Sequence, residues 1–131
     1  MTEQALPAEV RALLRGPVAT MGHVEALLFL RGVAPDSRPV EAVAVEAQIA
    51  TPAAARRCLE ELAAGGLVAA AEKDAYRYAP VDAATRASVD ALARMYNEKP
   101  VTLVRAIYSR PAAPAPVQAF ADAFRLRRDA D

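Results

Sequence analysis

The chain has a single cysteine, Cys58, and a single histidine, His23. No intramolecular disulfide can form, and without a second histidine or a cysteine pair His23 has no recognisable spacing of metal ligands around it. Cys58 falls in the apolar stripe of a helical segment, where a thiol packs rather than reacts. Reactivity calls for exposure and a neighbouring positive charge, and Arg57, adjacent in sequence, projects the other way. There is no nucleophile elbow, no phosphate-cradling glycine loop and no spaced acid pair in a recognisable motif. No enzyme and no cofactor are expected. What polar chemistry remains centres on Arg56 and Arg57, each followed four residues later by a glutamate, Glu60 and Glu61. On a helix that spacing forms surface ion pairs.

Those arginines need a helix to place them, and its limits are legible. Thr51 suits an N-cap and Pro52 a first helical position; Ala55, Cys58, Leu59 and Leu62 make one stripe; Gly65-Gly66 ends it. Before it, Pro39 opens a helix in which Val40, Val43, Ala44 and Ala47 repeat at helical spacing while Glu41 and Glu46 point outward. A tight turn at Ile49-Ala50 joins the two. After it the period changes, and residues 67–71 and 75–79 read as two strands joined by Glu72-Lys73-Asp74. Tyr76 and Tyr78 share one strand face and Arg77 takes the other.

Upstream, the pattern predicts helices over 7–15 and 20–31, the second capped by Thr20, stopped by Gly32 and carrying a partly exposed His23. Residues 33–38 read as a loop. Downstream, Asp82 caps a helix with Val89, Leu92 and Tyr96 on one stripe and Met95 beside it, and Pro100 starts another with Val101, Leu103, Val104, Ile107 and Tyr108.

Composition sets the wider bounds. An alanine-rich chain with 5% aromatics and no tryptophan favours helix, because alanine loses no side-chain entropy there. Lys plus Arg and Asp plus Glu are both 16, so there is no overall pull toward nucleic acid or anionic membrane. Between residues 38 and 79 the basic residues Arg38, Arg56, Arg57, Lys73 and Arg77 are outnumbered by Glu41, Glu46, Glu60, Glu61, Glu72 and Asp74. A domain held on DNA by counterion release normally shows the opposite imbalance. The N-terminal residues lack an apolar signal-peptide core, and the longest apolar run, 26–30, is far too short to cross a bilayer. A cytoplasmic protein with no membrane partner is expected.

Residues 20–80 resemble the winged helix-turn-helix domains of MarR-type bacterial regulators. The resemblance is carried by Val40-Glu41 with Val43-Ala44, Ile49 with Thr51-Pro52, Arg56-Arg57 with Leu59-Glu60 and Leu62, Gly65-Gly66-Leu67-Val68, and Tyr76-Arg77-Tyr78-Ala79-Pro80. It implies a mainly α fold with a two-stranded β-wing and additional C-terminal helices. It also implies that the helix from Pro52 is a recognition helix whose N-terminal residues meet base edges. Thr51, Ala53, Ala54, Arg56 and Arg57 are then the DNA-contact candidates, Ala54 against a thymine methyl and Arg57 against guanine. Lys73 and Arg77 become the wing residues for phosphate or the minor groove, although Glu72 and Asp74 flank Lys73 at the tip.

The end of the chain changes character. Pro111, Pro114 and Pro116 are separated by alanines and a short alanine pair, a semi-rigid linker, and a last amphipathic helix from Pro116 carries Val117, Phe120 and Phe124 at spacings of three and four. Such a face is buried on its own domain, on a symmetry mate, or in a groove of another protein, with Arg125, Arg127 and Arg128 suiting an acidic partner surface. The domain organisation expected is 1–110 as the winged domain with flanking helices and 111–131 as linker and arm, homodimeric through helices in 82–110. The function expected is a DNA-binding transcriptional regulator. The alternative is a winged-helix protein-interaction module that recruits a partner through its C-terminal helix and does not bind DNA.

Overall fold

The computed structural model describes residues 6–109. Their elements run α1 (Ala8–Arg15), α2 (Met21–Val33), β1 (Ser37–Pro39), α3 (Val40–Glu46), α4 (Pro52–Ala64), β2 (Val68–Ala71), β3 (Ala75–Tyr78), α5 (Ala83–Glu98) and α6 (Pro100–Ser109). The fold is mainly helical with one small antiparallel sheet of order β1-β3-β2. The expected two-stranded wing is therefore incomplete. Residues 37 and 38, read as loop, and Pro39, read as the opening of a helix, pair with β3 in the register Ser37↔Arg77, Arg38↔Tyr76 and Pro39↔Ala75. Three residues ending in a proline give no alternating pattern to detect, and proline is tolerated there because β1 is an edge strand.

The core follows the stripes that the sequence displays. Val24, Leu27 and Leu30 of α2, Val40 and Val43 of α3, Leu59 and Leu62 of α4, and Leu67 are all fully buried together. Tyr76 and Tyr78 face inward from β3 while Arg77 faces out. Helix α5 serves as a platform that α1 packs against on one side and α6 on another, with Val89, Leu92 and Met95 buried on it and Leu103 and Ile107 reaching it from α6.

Caps set most of the boundaries. Thr51 Oγ1 accepts from Ala54 N–H at 3.0 Å, and Asp82 Oδ1 accepts from Thr85 N–H at 2.8 Å. Gly66, at φ +80°, turns the chain out of α4 into β2, a conformation that suits glycine. Gly32 does not stop α2, which runs on to Val33. Its face is open solvent, so glycine there costs only about 1 kcal/mol of helix propensity and packing elsewhere carries the helix past it.

The Asp82 cap makes a pH-dependent prediction. The Thr85 N–H holds the Asp82 carboxyl below its usual range, so the contribution is present at neutral pH and lost as pH falls through the folded-state value. Urea denaturation should find Asp82→Ala less stable than the unaltered chain at pH 7, with the gap closing as pH drops below about 4.

Candidate functional site

The DNA-contact candidates lie on the first turns of α4, at the tip of the β2–β3 hairpin and, for Arg77, within β3. Helix α3 ends in a turn in which Gln48 takes φ +58° and Ile49 N–H donates to Ala44 C=O at 2.8 Å. That turn swings the chain to Thr51 and presents Thr51, Pro52 and Ala53 to solvent, with Ala54 half-buried behind them. Leu59 and Leu62 hold the opposite side of α4 in the core. The outward face is thus small and apolar at its start and charged only from Arg56 onward.

Arg56 is not available as a free cation. Its Nη1 and Nη2 donate to the two carboxylate oxygens of Asp74, a bidentate clamp between α4 and the hairpin tip. The hydrogen-bonded carboxylate raises the Arg56 pKa, and the guanidinium holds the Asp74 carboxyl below its usual range. The expected Arg56–Glu60 pair gives way to this contact, 18 positions along the chain. Arg57, the next residue, is exposed, and its expected partner Glu61 is engaged elsewhere. Lys73 and Asp74 both sit at φ +60° in the hairpin turn, which leaves Lys73 exposed at the tip. Arg77 is exposed on the outer face of β3, opposite Ser37 on one side and Ala69 on the other.

His23 departs most from expectation. It is 5% exposed, not partly exposed, and it joins two helices. Thr20 N–H donates to Nδ1 at 3.2 Å, while His23 N–H donates to Thr20 Oγ1 at 3.3 Å, a reciprocal cap on α2. Because Nδ1 accepts a backbone N–H, Nε2 carries the proton, and it donates to Glu61 Oε1 of α4 at 2.6 Å. The N-terminus of α2 and the last turn of α4 are thereby fastened through one imidazole. A histidine at this capping position lies outside the usual Ser/Thr-x-x-Glu/Gln pattern, so no sequence signal marks it.

Cys58 is half-buried instead of fully inside the stripe. It lines a cleft of about 440 Å³ with Thr20, Gln48, Ile49, Ala50 and Ala54. Burial pushes the thiol pKa up, the Glu61 carboxylate adds to that, and Arg57 opposes it only in part. The thiol form is favoured, which agrees with a packing role.

Sequence reasoning missed two further features. Val45, on the outer side of α3, is 73% exposed and extends the apolar surface beside the α3–α4 turn. The seam Val101, Val104 and Tyr108 on α6 is also turned to solvent. The proposed partner-binding residues Val117, Phe120, Phe124, Arg125, Arg127 and Arg128 lie outside the described residues. Among the described residues no group of three His, Cys, Asp or Glu could hold a metal ion, and no helix is long and apolar enough to cross a membrane. No family model, curated relative or solved structure matches the chain.

Proposed function

We propose that the chain is a winged-helix DNA-binding regulator of the kind the MarR-type resemblance implies, with α3 and α4 as its helix-turn-helix and the β2–β3 hairpin as its wing. The observation that carries the reading is an exposed helix N-terminus, Thr51 to Ala53, on a helix that the Arg56–Asp74 pair joins to the hairpin tip, with Arg57, Lys73 and Arg77 exposed on those same two elements. Support also comes from the order of the elements and from a sheet in which β3 lies between β1 and β2. An alanine-faced first turn lets the helix axis come close to a groove floor, where Ala53 and Ala54 can meet thymine methyl groups and Arg57 a guanine edge.

The second reading, a protein-interaction module, is favoured by the Arg56–Asp74 clamp, which neutralises the best-placed arginine of α4. Val45 and the alanines then become contact surface for another protein.

Binding to bulk genomic DNA across a salt series separates the two. With Lys73 and Arg77 as the phosphate-facing cations, the logarithm of affinity should fall with the logarithm of salt at a slope of roughly −2 per chain. Lys73→Ala should flatten that slope by about 1 and weaken all sequences alike, whereas Arg57→Ala should cost about 1–3 kcal/mol at a single base position. Asp74→Asn releases Arg56, so it should tighten binding and steepen the slope by about 1. If neither the unaltered chain nor Asp74→Asn shifts DNA at low salt, the interaction reading replaces this one.

A further inference from the structure

Helix α6 leaves an apolar seam uncovered. Val101 is 66% exposed, Val104 37% and Tyr108 73%, at spacings of three and four that put them on one side of the helix, opposite Leu103 and Ile107 in their buried contacts with the core. With Pro100 and Arg105 they line an almost wholly apolar groove of about 410 Å³. Three of the five large exposed apolar side chains among the described residues belong to this one helix, a clustering of the kind that marks an interaction surface.

We infer that the groove is the docking site of the chain's own segment 117–128, folded back antiparallel on α6. The described residues end at Ser109, on the last turn of α6, and 22 residues follow. The first seven of these, Arg110-Pro111-Ala112-Ala113-Pro114-Ala115-Pro116, match the length of connection that joins antiparallel helices, commonly about 2–8 residues. Proline at 111 stops α6 from continuing, and Pro116 suits the first position of a new helix. Beyond it, Val117, Phe120 and Phe124 repeat the three-and-four spacing of Val101, Val104 and Tyr108. Each set covers about 10.5 Å of helix, so the two seams are equal in length. Antiparallel alignment brings Val117 toward Tyr108 and Phe124 toward Val101, so that a branched side chain meets an aromatic one at both ends.

A second copy of α6 fits the groove less well. Antiparallel twofold pairing of residues 101–108 would centre between Val104 and Arg105 and bring two Arg105 side chains together at the axis. In the folded-back segment the residue next to Phe120 on that side is Ala121, which leaves room for the Arg105 stem. The inference does not depend on whether the chain binds DNA.

Hydrogen exchange on the full chain tests it. Amides 117–128 should be protected by about tenfold or more over an unstructured chain. That protection should be the same at low and high micromolar protein, with the molar mass by light scattering unchanged over that range. Val104→Asp should abolish it while the amides of α2 and α4 stay protected. Phe120→Asp, which alters the other partner and no core position, should do the same. An unprotected segment in the unaltered chain overturns the proposal, as does protection that survives Val104→Asp. Protection that appears only as the mass doubles assigns the groove to a second copy instead.

Discussion

Leu59→Asp is expected to abolish the folded state. Leu59 is fully buried in the stripe it shares with Ala55 and Leu62, and the one buried polar residue among those described, His23, already has both ring nitrogens engaged by Thr20 and Glu61. An unpaired carboxylate there costs several kcal/mol on top of the lost apolar burial, set against a total stability of about 5–15 kcal/mol for a domain of this size. Circular dichroism should show no cooperative melt. Glu60→Ala, one position along and exposed, should stay within about 0.5 kcal/mol of the unaltered chain. A Leu59→Asp protein that melts normally would mean that α4 turns another face to the core.

The second large effect belongs to His23. Replacing it by alanine empties a buried site, leaves the Thr20 N–H without its acceptor and removes the hydrogen bond from α2 to Glu61. Together these should cost about 2–4 kcal/mol. His23→Gln separates the contributions. Glutamine at this position restores the reciprocal cap but does not reproduce the imidazole's reach to Glu61, so it should recover part of the loss and leave the remainder. If His23→Ala and His23→Gln are equally destabilising, the cap contributes nothing and the bridge to α4 accounts for the effect. If both melt like the unaltered chain, the imidazole is a passive filler.

Local signals made most of the helices legible, and non-local pairing explains what was missed. Thr51, Asp82 and Gly66 act within three or four residues of themselves, and each does what its position in the sequence suggests. Val40, Val43, Leu59 and Leu62 are buried as their spacing predicts. The errors lie where the partner is distant. Strand β1 exists because β3, almost forty residues later, offers it an edge. The partner of Arg56 is Asp74 rather than Glu60, because the hairpin comes closer than the next helical turn. Glu61 likewise bonds across to His23 and not to Arg57. The sequence therefore locates each candidate residue on its element, but not the ion pairs that its charge enters.

The hairpin's attachment has a consequence for how any partner is met. Asp74 holds Arg56 by its side chain while its carbonyl accepts from Val40 N–H at 3.1 Å, and β1 ties the same hairpin to the start of α3. The hairpin tip, α3 and α4 are consequently fixed to one another before any encounter. A partner would find its contacts already arranged and would lose little conformational freedom on the protein's side. Free and bound shapes should then differ by no more than about 1 Å in the backbone. Recognition would be decided by orientation at first touch and by how long the contact lasts, with no slow rearrangement between the two.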